Sequence, residues 1–249
     1  ADNGYFPVLG TTTLPQNEWI HVALVVKSGD SRLYINGVLD KTVTNTFSYI
    51  NATSNLTIGK YINERFFNGS MDEIRIWNKA RSGKEIRQTM DKTLAGNEPN
   101  LAGYWNFDEN EGTQVLDKTS NENHGTYSAQ RVASTVDVTT PGNALYFDGV
   151  NDKVNFAYGA ITDAHITTPG NFAMEFWVNP TSTHEIDAEA TSGYAGTEGQ
   201  KYVVFPAEGA TSNEAGVGVS VGTNGIGVYE HTGNYLPCLL SWTGTVSGW

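Results

Sequence analysis

The feature that most constrains this chain is a copy of its own beginning near its end. Residues Asn3 to Trp19 read NGYFPVLGTTTLPQNEW, and residues Gly233 to Trp249 read GNYLPCLLSWTGTVSGW. They align without a gap: Tyr5 falls on Tyr235, Pro7 on Pro237, Leu9 on Leu239, Thr13 on Thr243 and Trp19 on Trp249, an offset of 230 residues. A fixed long period marks a chain assembled from repeated units. The 249 residues then span one period and a short overlap, so both ends are expected to cut through a domain. Residues 1–96 read as the C-terminal half of one repeat, 97–100 as a linker and 101–249 as the N-terminal portion of the next. Val8 falls on Cys238, which assigns that cysteine to a core slot as a small hydrophobe.

Composition narrows the class. Twenty-seven glycines and 11% aromatic residues fit short strands joined by tight turns better than helices. A single cysteine excludes an internal disulfide and a zinc-finger framework, so stability must come from burial. The net charge of -12 repels nucleic acid and anionic lipid, and no partner of either kind is expected. The longest apolar run, Val22 to Val26, falls far short of the roughly 20 residues of a membrane helix, so no membrane insertion is expected. No charged-then-apolar leader opens the sequence, and any secretion signal is expected outside it.

Periodicity places the elements. Trp19 to Val26 is an apolar strand, and Arg32 to Thr42 carries Asn36-Gly37 at its centre, a dipeptide that tolerates the positive φ of a hairpin turn. Leu56 to Gly59 and Met71 to Trp77 are further strands, the latter with Asp72 on the same face as Ile74 and Ile76. Ser82 and Glu85 form a capping box ahead of Ile86, Met90 and Leu94, which predicts a helix stopped by Gly96. Later strands are expected at Tyr104 to Phe107, Ala144 to Phe147, Lys153 to Phe156, Phe172 to Asn179, Lys201 to Phe205, Gly216 to Val221 and Gly225 to Glu230. Asn224-Gly225 marks a second hairpin, Asp117 to Gly125 a polar loop, and Thr181 to Gln200 a long polar insertion.

The run EWIHVALVVKSGDSRLYINGVLDKTV followed by NLTIGKYINERFFNGSMDEIRIWNKARSGKEI resembles the C-terminal half of laminin-G-like and pentraxin-like domains. LAGYWNFDENEGTQVLDKTSNENHG, ALYFDGVNDKV and FAMEFWVNP resemble the opening half of the same concanavalin A-like lectin/glucanase jelly roll. The resemblance implies an all-β antiparallel sandwich, with the one short helix linking repeats. It also implies a secreted or cell-surface setting, as in tandem-repeat bacterial adhesins. The pentraxin calcium cluster should follow the strand matching Leu56 to Gly59, but the loop there reads KYINERFFNG and lacks it.

Six residues are candidates for calcium, which prefers carboxylate and carbonyl oxygens. Asp72 either accepts backbone N–H groups or joins Asp108 and Asp117 around a metal, in keeping with the structural calcium of related jelly rolls. Asp148, Asn151 and Asp152 surround Gly149 in either a rim site or an ordinary Asx-turn. The catalytic alternative is Glu185, Asp187 and Glu189, an E-x-D-x-E spacing that on a strand would aim three acids to one face, as in a family of glycoside hydrolases. It lies in a Ser/Thr/Gly-rich stretch without cleft aromatics, which favours a loop with coincidental acids. His184 and His231 have no triad partner in the sequence. The expectation is a non-catalytic adhesion or carbohydrate-binding module with glycans, extracellular surface proteins and neighbouring repeats as partners. A glycan-cleaving enzyme and a structural spacer are the alternatives.

Overall fold

Each strand forms where apolar or β-branched residues alternate or run together between turn residues. The computed structural model describes residues 14, 18–27, 29–44, 56–60, 65–156, 171–184, 202–205, 216–231 and 238–243. In chain order the N-terminal elements are β1 (Ile20–Lys27), β2 (Asp30–Ile35), β3 (Val38–Thr44), β4 (Thr57–Ile58), β5 (Asn68–Trp77) and α1 (Gly83–Thr89). Then come β6 (Leu101–Trp105), β7 (Gln114–Val115), β8 (Gly125–Tyr127), β9 (Gln130–Ala133), β10 (Asn143–Asp148) and β11 (Val154–Phe156). The last are β12 (Phe172–Pro180), β13 (Tyr202–Phe205), β14 (Gly216–Gly222), β15 (Gly225–His231) and β16 (Cys238–Thr243).

These strands make two eight-stranded antiparallel sheets, the sandwich expected from the sequence. The first runs β3-β2-β1-β12-β5-β10-β9; the outer edge of β5 is shared, with β10 on its first residues and β6 on its last. The second runs β16-β15-β14-β13-β4-β11-β8-β7. Their inner faces close one core, in which Val22, Leu24, Ile74, Trp105 and Phe176 of the first sheet meet Ile58, Val154, Val204, Val219 and Val228 of the second. The two segments divided at 97–100 by sequence periodicity are interleaved in space. β12 lies between β1 and β5, and β4 between β13 and β11. Residues 97–100 are thus a turn within one body, tied down by Asn78 N–H to Asn100 O and Leu101 N–H to Glu98 O.

The β2–β3 hairpin turns at Asn36 and Gly37 with φ of 48° and 74°, as their sequence predicts. The second hairpin turns at Thr223 and Asn224, with Gly222 paired to Gly225, one residue earlier than the Asn-Gly dipeptide suggests. The capping box is present: Ser82 Oγ accepts from Glu85 N–H, and Glu85 reaches back to Ser82 N–H.

Two expectations are corrected. The helix ends at Thr89 instead of continuing to Leu94, and from there side chains of the first sheet hold the carbonyls of the departing chain. Arg75 donates to Thr89 O and Lys92 O, and Trp177 Nε1 donates to Met90 O. Asp72 does not share a face with Ile74 and Ile76. Glu73 adopts φ of 54°, and Glu73 and Ile74 together oppose Phe176. This bulge shifts the alternation by one residue. Met71, Ile74 and Ile76 point into the core, while Asp72 lies opposite Trp177 on the outer face and meets Ser134.

Candidate binding cleft

The outer face of the first sheet is buried too, but its chemistry differs from the core. Ala23 and Val25 of β1, Tyr34 of β2, Trp77 of β5, Tyr104 of β6 and Ala173 of β12 form an apolar patch that Ile86 of α1 covers. Beside it the same strands carry charge: Glu73 and Arg75 on β5, Glu175 on β12. Arg75 is fully buried and holds Glu73 at 2.6 Å, while the Tyr104 hydroxyl donates to both Glu73 oxygens. Arg81, from the turn before α1, donates to Glu175 Oε1 at 2.6 Å and stacks 4.0 Å above the Trp77 ring. Two buried arginines thus balance two buried glutamates.

Burial raises the affinity of Glu73 and Glu175 for a proton, opposed by Arg75 beside Glu73 and by Arg81 and Arg75 near Glu175. His21, on β1, faces this network with neither ring nitrogen hydrogen-bonded, and its Nε2 stands 3.9 Å from Glu175 Oε2. Its proton affinity is well below the ordinary value, first because it is buried and then because Arg75 and Arg81 repel a cation there.

Where Arg81 emerges at the edge of this network, a cleft of about 540 Å³ opens. Lys27, Asp30 and Arg32 of the β1–β2 corner form one wall, and Lys79, Ser82 and Glu85 the other. Asn78, Asn100 and Asn171 add amides, the last at the start of β12. The charges are pre-arranged. Arg32 donates to Asp30 at 2.8 Å, and Lys79 to Glu85 at 2.6 Å. Lys79 and the Ser82 cap together hold the Glu85 carboxyl down at about 2. Lys27 is exposed and makes no ion pair among the described residues. Four cations therefore line the cleft against two acids, in a chain that carries 27 acids and 15 bases.

Of the residues singled out from sequence, Asp108 lies near enough to Asp72 to act on its charge, and Asp148, Asn151 and Asp152 share one turn. Asp72 accepts from Glu73 N–H and from Ser134, and burial holds its carboxyl well above the usual range. Asp108 accepts from Asn143 N–H and the Asn106 amide. Asp117 organises the predicted polar loop by accepting from the N–H groups of Tyr104, Thr119 and Asn123 and from the Thr119 hydroxyl. Asp148 accepts from Val150 and Asn151 N–H in an Asx-turn, and Asp152 accepts from Asp148 N–H. Each of these aspartates accepts from at least one protein donor, and no three His, Cys, Asp or Glu side chains converge among the described residues. His184 is buried, with Nδ1 at 2.7 Å from Ser220 Oγ and Nε2 at 2.9 Å from Gly225 O. Glu185, Asp187 and Glu189 lie outside the described residues, as does the side chain of His231.

The cleft unites residues about 27–32, 78–85, 100 and 171, and no sequence motif spans them. The available signal was the placement of Arg75 within EIRIW and Glu175 within AMEFWV, charges inside otherwise apolar strands.

Comparison with known proteins adds one match. Residues 1–87 fit the Laminin_G_3 family model, described as the concanavalin A-like lectin/glucanases superfamily. No curated protein and no solved structure matches the chain.

Proposed function

We propose that the chain, whose residues 1–87 fit the concanavalin A-like lectin/glucanase model, is a non-catalytic carbohydrate-binding module of a secreted or cell-surface adhesive protein. The observation that carries this reading is the cleft walled by Asp30–Arg32 and Lys79–Glu85. Sugar hydroxyls need donors and acceptors held in fixed directions, and a few well-placed polar groups set the orientation of a small ligand. Ion-paired side chains supply both, and the pairing holds them in place before the sugar arrives. Asn78, Asn100 and Asn171 extend the same polar lining.

Within the cleft, Glu85 supports a binding role over that of a proton donor. Glycoside hydrolysis uses two acids, one of which must carry a proton near neutral pH. Glu85, at about 2, is ionised throughout that range and serves as an acceptor and counter-ion.

The test is a glycan array followed by calorimetry on the hits. Binding should persist in a Glu185→Gln/Glu189→Gln variant and weaken about tenfold, the equivalent of one charge-assisted hydrogen bond, in Lys79→Ala. Release of new reducing ends from a polysaccharide, abolished by Glu185→Gln, would replace this reading with a hydrolase. An array blank with and without calcium would leave a structural spacer.

A further inference from the structure

Residues 1–96 and 101–249 meet through two reciprocal insertions. β12 pairs with β1 from Ile20↔Val178 to Val26↔Phe172, and with β5 from Ala173↔Trp77 to Pro180↔Gly69. β4 in turn pairs with both β11 and β13. Without β12, the facing edges of β1 and β5 would stand about 10 Å apart, twice the spacing of paired strands. Without β4, β13 and β11 would be separated in the same way. Each segment therefore holds a strand-wide slot that only the other fills, and neither closes its sheets alone.

A single short turn, residues 97–100, joins these halves. It is tightly shaped: Gly96 and Asn100 have φ of 86° and 70°, and a Cβ on Gly96 would lie 2.1 Å from Lys118 O. Asn100 holds a left-handed backbone conformation that costs a non-glycine residue energy. Short hinges under strain invite exchange of complementary halves between molecules, since every contact is regained and only the hinge changes.

We propose that this chain forms an exchanged dimer with a second copy of itself, in which residues 101–249 of each copy complete residues 1–96 of the other and 97–100 extends to bridge them. The slots specify the occupant. The β12 slot takes its strand over seven residue pairs on each side, with one bulge toward β5, and the β4 slot over two pairs on each side. The consequence for an adhesive protein is a link between chains that uses folding contacts instead of a surface patch.

Ser70 on β5 faces Tyr146 on β10, and these residues belong to different halves. Paired strand positions lie within disulfide reach. The full chain with Cys238→Val, Ser70→Cys and Tyr146→Cys is refolded dilute and concentrated, oxidised, and run on a non-reducing denaturing gel. A closed chain gives an internal bond and a monomer band; an exchanged pair gives a covalent dimer. The dimer share should rise severalfold with concentration and fall severalfold when a flexible ten-residue insert lengthens 97–100. Thr57→Cys with Asn155→Cys, facing each other in the second sheet, repeats the test should the first pair fail to fold. Monomer bands alone at every concentration with a folded pair, or equal dimer from either single-cysteine variant, overturn the proposal.

Discussion

The two faces of the first sheet are built from the same strands and do different work. On the inner face Val22, Leu24, Ile74, Ile76, Met174 and Phe176 meet the other sheet with apolar side chains only. On the outer face the intervening residues include Arg75, paired with Glu73, and Glu175, paired with Arg81, with His21 beside them, all equally shielded from water. Hydrocarbon burial is non-directional and stabilises in proportion to area. A buried ion pair mostly recovers what desolvating it costs, but it permits one arrangement. The inner face thus supplies stability. The outer face fixes where α1 and the cleft sit.

The largest effect belongs to the inner face. Trp105 is fully buried, packs 4.9 Å from the Phe156 ring, and donates its indole N–H to Asn123 O. Trp105→Ala should cost about 5 kcal/mol, the upper end for an aromatic truncation, because it leaves both a cavity and an unmade hydrogen bond. Urea titration with an unchanged m-value measures it.

Next is the charge pair under the cleft. Arg81→Met strands Glu175 without its cation in a fully buried position, at a cost of about 3–5 kcal/mol. Arg81→Met combined with Glu175→Leu should recover most of that stability, while sugar binding should be weak in both variants because Arg81 lines the cleft. A double variant as unstable as the single one would mean that the outer face, too, is a source of net stability.

A smaller, pH-dependent effect comes from His21. Its folded-state pKa lies below the ordinary 6.5, so the unfolded chain binds the extra proton first. The stability linked to this group is present above pH 6.5 and is lost as pH falls toward the folded value, at up to about 1.4 kcal/mol per pH unit. Asp72, Glu73 and Glu175 shift the other way through burial and gain stability on acidification. The measurement is therefore the difference between the parent and His21→Phe, which keeps a ring against Trp177. That difference should shift in favour of the variant between pH 7 and 5; parallel profiles would place a proton partner on His21 that the structure lacks.

The sequence is legible where a local rule decides the geometry. Asn36-Gly37 and the Ser82/Glu85 box each act over four residues and form as read. It is illegible at β5, since nothing about a glutamate announces a positive φ, and one bulged residue carries Asp72 to the opposite face. The apolar spacing runs past the end of α1, where Arg75 and Trp177, distant in sequence, hold the carbonyls of Thr89, Met90 and Lys92. Short strands such as β7 and β8 exist only as partners of others and carry no pattern of their own. The cleft was invisible for the same reason: topology, and not spacing, brings Lys27, Arg32, Lys79 and Asn171 together.

The smallest stability effect separates geometry from folding energy most cleanly. Arg32 is one-third exposed and paired with Asp30 two residues away on the same strand, so solvent screens the pair and its loss should change unfolding free energy by less than about 0.5 kcal/mol. The same substitution, Arg32→Ala, removes one wall of the cleft and should weaken glycan binding about tenfold by calorimetry. Stability and affinity falling together would make the cleft part of the fold's support. Affinity alone falling, with the Arg81–Glu175 pair intact beneath, would show that the outer face holds a recognition surface in place without being strengthened by it.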